Sequence, residues 1–96
     1  MEIHRVDSSN STTYQLSGRF DAHQVDKVRS EVQDFQQNIV IDMSEVSFID
    51  SSGLATLVNI FKKSRQENVE LSICNIQDSV KLILEITQLY NVLPIH

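Results

Sequence analysis

Residues 48–54 hold the densest group of side chains that can carry chemistry. They read FIDSSGL, so one carboxylate, two hydroxyl groups and a glycine follow each other without interruption. The apolar residues before Asp50 are typical of a strand and those after Gly53 of a helix, which places these groups at the first turn of that helix. Free backbone N–H groups and the positive end of the helix dipole gather there and tolerate a phosphate group. The local pattern by itself favours a purely structural role, in which Asp50 or a serine caps the helix and Gly53 allows close packing.

A catalytic role for these hydroxyl groups requires a base, and the only candidates are His23 and Asp50. Both also have ordinary roles at the start of a helix, and the chain has no GxSxG motif. Two glycines are too few for a glycine-rich phosphate loop. The three histidines and the one cysteine lack metal-ligand spacing: His4, His23, His96 and Cys74. We therefore expect no enzymatic activity, no metal ion and no cofactor.

The composition is that of a small acidic chain, with 96 residues, 13 acidic and 8 basic side chains and a net charge of -5. This length suits one domain that spans residues 1–96. A surplus of negative charge argues against direct binding of nucleic acid or anionic membranes, because both require positive charge. No apolar run is long enough for membrane insertion, and the N-terminus does not resemble a signal peptide. A single cysteine excludes an intrachain disulfide, and together these features indicate a cytoplasmic protein.

Three helices are predicted from apolar residues at helical spacing: residues 21–36, residues 50 to about 68, and residues 78–89. In the first, Asp21 occupies the N-cap and Gln24 is placed to complete a capping pair. Its apolar face comprises Val25, Val28, Val32 and Phe35. Asn68 is expected to end the second helix in the left-handed conformation.

Strands are predicted from β-branched and apolar runs: residues 3–6, 12–16, 38–43, 69–74 and an edge strand at 92–95. Gly18 is expected to end the second strand, and Ser44 and Glu45 to form a turn before an extended segment, residues 46–49. Residues 38–43 are expected to form a central strand covered on both faces. Because strands and helices alternate, we predict an α/β domain with a mixed, mostly parallel sheet of four to five strands packed with about three helices. Its first strand pair is antiparallel.

Two stretches of the sequence resemble a known family. Residues 40–57 read VIDMSEVSFIDSSGLATL and resemble the signature of STAS domains and, among these, of bacterial anti-sigma factor antagonists. Upstream, LSGRFDAHQVDKV is similar to the first strand–helix junction of the family, where a glycine and an aspartate recur as Gly18 and Asp21. The similarity in order and spacing runs from about Thr12 to Leu93. It implies a STAS-like fold over nearly the whole chain.

The resemblance implies a protein-binding switch rather than an enzyme. In the family, an unphosphorylated antagonist binds an anti-sigma factor, which is also a serine kinase of the histidine-kinase-like ATPase class, and so frees the sigma factor. The kinase phosphorylates the hydroxyl group directly after the aspartate, here Ser51, and a PP2C-type serine phosphatase reverses this modification. The family also includes subunits of lipid ABC transporters, stressosome components and biofilm regulators. A STAS regulatory subunit with such a client is the alternative.

The partner surface is expected to join two strand-to-helix junctions at one end of the parallel sheet, where α/β domains place their sites. Its expected residues are Gly18, Phe20, Asp21, Ala22, His23, Asp50, Ser51, Ser52, Gly53, Leu54 and Thr56. Thr56 and Asn59 are expected to face outwards, and Leu57 and Phe61 to face the core. Ser51 is expected to be the exposed acceptor. Ser52 is expected to turn inwards and bond a free N–H group of the first helical turn.

Overall fold

After an initial strand pair, helices and strands alternate along the chain. The structure is a computed structural model that describes residues 1–96. Its elements are β1 (Glu2–Asp7), β2 (Ser11–Phe20), a short 3-10 helix (Ala22–Gln24), α1 (Val25–Glu31), β3 (Asn38–Ile49), α2 (Ser51–Gln66), β4 (Leu71–Cys74) and α3 (Asp78–Ile86). The sheet has the order β1-β2-β3-β4, with β1 antiparallel to β2 and the other pairs parallel. The predicted α/β class and mixed, mostly parallel sheet are therefore confirmed.

One face of the sheet carries the core. Alternate strand residues are buried there, namely Tyr14, Leu16, Ile39, Ile41, Met43, Leu71 and Ile73. They belong to one cluster of 19 buried residues that also includes Val28 of α1, Leu57 of α2 and Val80 of α3. The prediction that the start of β3 is covered on both faces is wrong. Val40 and Asp42 lie between the core residues and are only half-buried, because the cluster lies on the other face.

The strands β2 and β3 are longer than the sequence predicts. Gly18 does not end β2, because its positive φ of 107° is accommodated at an irregularity in the pairing with β3. Likewise, Ser44 and Glu45 form no turn: β3 continues through them, and the register shifts at two places where β3 contains one more residue than β2. As a result Phe20 pairs with Ile49, so both strands end at the same level of the sheet.

The first helix is shorter than predicted, because α1 ends at Glu31 and a 3-10 turn precedes it. Asp21 caps this turn by accepting the His23 N–H at 3.1 Å, but no side-chain bond from Gln24 completes a capping pair. Beyond the helix, Val32 and Phe35 are nevertheless buried. The apolar spacing therefore marks the core positions correctly, although it overestimates the length of the helix.

The C-terminal half follows the prediction more closely. Asn68 adopts the left-handed conformation after α2, with a φ of 57°. The strand β4 begins at Leu71 rather than at residue 69, and α3 ends at Ile86 rather than at residue 89. Gln88 explains this shorter helix, since its φ of 63° turns the chain away. The predicted last strand is reduced to a single parallel bridge between Ile73 and Ile95.

Candidate functional site

The side chain of Asp50 connects the two expected loops. Asp50 is the N-cap of α2, and its Oδ1 accepts the Gly53 N–H at 3.0 Å. Its Oδ2 accepts the Ala22 N–H of the other loop at 3.3 Å. The two strand-to-helix junctions are thus adjacent, as the sequence predicts, and one carboxylate bonds to both.

Gly53 allows the first turn of α2 to approach β2 closely. A Cβ atom on this residue would lie 2.6 Å from the backbone oxygen of Phe20 and 2.7 Å from Ile49 Cγ1. The Asp50 N–H also donates to the Phe20 oxygen, at 3.2 Å. These contacts place the start of α2 against the end of β2, so that α2 begins at a defined position relative to the sheet.

The two neighbouring serines lie in different environments. Ser51, the first residue of α2, is exposed, whereas Ser52 is half-buried. The Ser52 hydroxyl bonds no free N–H group of the first turn, where the Asp50 side chain accepts the Gly53 N–H, so this prediction is wrong. Its backbone oxygen instead accepts the Thr56 hydroxyl at 2.8 Å. Neither serine hydroxyl is hydrogen-bonded to His23 or Asp50, so no nucleophile and base are paired here.

The eleven expected partner-binding residues divide by burial. Gly18, Ala22, His23 and Ser51 are exposed, and Asp21, Asp50 and Ser52 are half-buried. Phe20, Gly53, Leu54 and Thr56 are buried. The last four are buried in the free chain, and their contact with a partner stays a prediction.

The orientation of Thr56 differs from its prediction. It is only 2% exposed, so the expectation that it faces outwards is wrong. Its hydroxyl group donates to the backbone oxygen of Ser52 at 2.8 Å, so this buried polar group has a partner within the helix. Asn59 is exposed and Leu57 is buried, as predicted, whereas Phe61 is half-buried at the edge of the core.

Two residues beside the site are absent from the predicted partner surface. Phe48 is 38% exposed, and Arg19 on the adjacent strand places its Cζ 4.0 Å from the centroid of the Phe48 ring. Arg19 Nε lies 3.8 Å from Asp21 Oδ2. The signal in the sequence is that Val46 and Ile49 continue the core face of β3, which leaves Phe48 out of phase with it. An exposed aromatic ring stacked on an arginine is typical of contact residues in protein interfaces.

The sheet face opposite the core carries the only thiol. Burial, and next the charge of Asp42, raise the pKa of the half-buried Cys74. A raised pKa keeps the thiol protonated at neutral pH and lowers its nucleophilicity.

No group of three histidine, cysteine, aspartate or glutamate side chains is arranged to hold a metal ion. None of the helices combines the length and the apolar character needed to cross a bilayer.

Sequence comparison finds one family that matches almost all of the chain. The family model described as STAS domain matches residues 2–96. The chain is 34% identical over 99 residues to an anti-sigma-B factor antagonist of Listeria monocytogenes, covering 99% of this chain and 86% of that protein. It is 30% identical over 86 residues to an anti-sigma F factor antagonist of Paenibacillus polymyxa, covering 84% of this chain and 74% of that protein.

Solved structures share the same architecture. The anti-sigma factor antagonist SpoIIAA in its unphosphorylated form superposes with a TM-score of 0.81 at 18% identity, covering 99% of this chain and 86% of that chain. The phosphorylated form of SpoIIAA, described as a Bacillus cell fate determinant, gives a TM-score of 0.75 at 17% identity, covering 99% of this chain and 89% of that chain. At these identities the likeness shows the common fold.

Proposed function

The chain belongs to the STAS domain family, and we propose that it is an anti-sigma factor antagonist switched by phosphorylation of Ser51. The unphosphorylated protein binds an anti-sigma factor that is also a serine kinase of the histidine-kinase-like ATPase class. The names of the Listeria and Paenibacillus relatives support this role. The observation that carries the proposed site is the exposed hydroxyl group of Ser51, which directly follows the capping Asp50 at the start of α2.

The proposed switch consists of two reactions, phosphorylation and dephosphorylation of Ser51. The kinase transfers the γ-phosphoryl group of ATP to Ser51 Oγ, which loses its proton, and ADP leaves. A PP2C-type serine phosphatase hydrolyses the phosphate ester to serine and inorganic phosphate. Both reactions take place in the active sites of the partners, so this chain acts as their substrate and binding partner rather than as an enzyme.

The charge of the phosphate accounts for release of the partner. Phosphorylation adds about -1.5 to -2 charges at neutral pH. In the free protein, water solvates this group at the exposed Ser51 and the dipole of α2 favours it, so the fold persists. In an interface the phosphate is desolvated next to the carboxylate of Asp50. A cost of a few kcal/mol follows, and each ~1.4 kcal/mol weakens binding tenfold.

The exposed residues of both loops form the proposed partner surface. Ala22, His23 and Ser51 provide its centre, and the stacked pair of Arg19 and Phe48 lies at its edge. Aromatic and arginine side chains often dominate the binding energy of an interface. The buried residues Phe20, Gly53, Leu54 and Thr56 support this surface from beneath.

A pull-down with three baits tests the proposed function. Wild type and Ser51→Ala should capture an anti-sigma factor from cell extract, whereas Ser51→Asp should fold but bind weakly, because its carboxylate carries negative charge to the interface. Mass spectrometry identifies the captured protein. A transporter ATPase on the wild-type and Ser51→Ala baits would favour a STAS subunit with that client and contradict the proposal.

Phosphate incorporation with the captured kinase and ATP tests the choice of Ser51. Ser51→Ala should abolish labelling, while the matched variant Ser52→Ala should retain it. Labelling that maps to Ser52 would overturn the assignment.

Amide hydrogen exchange with and without the partner tests the proposed surface and should show protection in residues 18–23 and 50–54. Protection confined to β4 and α3 would contradict the proposed surface.

A further inference from the structure

A continuous groove runs between α1 and α2, away from Ser51. A cavity of about 380 Å³ begins at Ala22 and Ser52, beside the candidate site. A second cavity of about 350 Å³ extends to Phe35 and Lys63. The two form one groove because they share three lining residues, Arg29, Thr56 and Asn59. From Ser52 to Lys63 the groove follows α2 for about 16 Å, given a rise of 1.5 Å per residue.

The groove combines apolar and cationic side chains. Val32, Phe35 and Ile60 belong to the core and form its floor. Arg29 and Lys63 line its walls, and Asp26 is its only acidic residue. The lining is therefore net positive, in a protein whose net charge is -5.

Neither cation of the groove is neutralised within the molecule. The ion pairs of the structure involve Arg5 and Arg19 alone, so Arg29 and Lys63 have no carboxylate partner. Lys63 Nζ lies 5.2 Å from the centroid of the Phe35 ring, where it extends over the apolar floor. A segment with negative charges and an apolar side chain would satisfy both the walls and the floor of this groove.

We propose that this groove binds a short acidic segment, with at least one apolar side chain, of the same anti-sigma factor that contacts Ser51; this inference rests on the proposed function. The groove opens at Ser52, so a phosphate on Ser51 lies close to its mouth. Charges within about 8 Å of each other interact across water at physiological ionic strength. The phosphate therefore repels the acidic segment as well as adding desolvation cost at the centre of the interface.

A pair of double variants tests the groove. Arg29→Glu with Lys63→Glu reverses both groove cations. Lys62→Glu with Arg65→Glu makes the same change in net charge on exposed residues of α2 that do not line the groove. The probe is the anti-sigma factor purified from the wild-type pull-down, and binding kinetics are measured at about 0.05 M and about 0.3 M salt.

The groove variant should bind at least about tenfold more weakly than its matched control at low salt, mainly through a slower association rate, and the difference should shrink at high salt. If the Glu variant lowers the urea midpoint, Arg29→Gln with Lys63→Gln replaces it, with a smaller loss expected. Equal affinity of the groove variant and the control variant would overturn the proposed binding of the acidic segment in the groove and leave the proposed function intact. Failure of the wild type to capture any anti-sigma factor would overturn both.

Discussion

Asp50 connects the start of α2 to Ala22, which lies 28 residues earlier in the sequence. Each of its carboxylate oxygens accepts a different backbone N–H. One bond caps α2 and the other reaches Ala22 in the preceding loop. The residue before the proposed phosphorylation site therefore has a structural role of its own. A phosphate on Ser51 would lie next to this carboxylate, in the same chain and one residue away.

Two substitutions of Asp50 should show how much each of its two hydrogen bonds contributes to stability. Asp50→Ala removes both and should lower the free energy of unfolding by about 0.5–2 kcal/mol, the usual cost of a lost N-cap. Asp50→Asn should lose less, because its amide oxygen still accepts the Gly53 N–H while its NH₂ group cannot accept the Ala22 N–H. Urea unfolding measures both losses. The control Asp26→Ala removes an exposed carboxylate and should change stability by less than about 0.5 kcal/mol. Wild-type stability in Asp50→Ala would show that these bonds do not stabilise the fold.

At the scale of the elements, the first turn of α2 is positioned by its approach to β2. Gly53 is buried in this turn, and the backbone oxygen of Phe20 occupies the space that a side chain would need. The requirement for glycine is therefore steric rather than conformational. It explains why a residue that disfavours helices stands in the first turn of the longest helix of the chain.

Gly53→Ala should destabilise the protein, although alanine stabilises an ordinary helix interior by about 1 kcal/mol relative to glycine. The added Cβ must displace backbone, and overpacking of this kind costs about 1–3 kcal/mol. The urea midpoint should fall. The matched variant Ser52→Ala lies in the same turn and should be neutral or slightly stabilising, since Asp50 supplies the cap. A Gly53→Ala protein as stable as the wild type would mean that α2 shifts without cost.

At the scale of the whole molecule, two carboxylates link distant parts of the chain. Arg5 on β1 donates to Asp34 after α1 at 3.0 Å, and this bond, with the Gln36 N–H, lowers the pKa of Asp34. Burial opposes ionisation of Asp42, but hydrogen bonds from Ser44 and Asn75 outweigh it and lower its pKa. Both groups therefore bind a proton less readily in the folded than in the unfolded protein.

Acid should destabilise the protein through these two groups. The stability that they contribute is present above the unfolded pKa of about 3.9 and is lost as the pH falls through their lower folded values. Asp34→Asn with Asp42→Asn should be less stable than the wild type at neutral pH and should lose less stability on acidification. Urea midpoints measured from neutral pH down to about pH 3 test this, with Asp26→Asn as the control. Parallel curves for wild type and double variant would contradict it.

The sequence by itself determined most of the apolar core positions and where α2 begins. Val32 and Phe35 are buried although α1 ends before them, since apolar spacing reflects burial whether or not the backbone stays helical. The sequence assigns the N-cap of α2 to Asp50 or a serine, and Asp50 takes it, because capping depends on local hydrogen bonds within one turn.

Only the tertiary structure decided the continuity of the strands and the composition of the surface. The strand β3 continues through Ser44 and Glu45 because Glu45 pairs with Ser17 of β2 beyond a register shift, and a local turn preference does not include this pairing. Thr56 is buried and Phe48 exposed because coverage depends on which other element lies above a residue. The groove between α1 and α2 has the same origin. Its cations, Arg29 and Lys63, lie on separate helices, and only the packing of these helices places them along one groove.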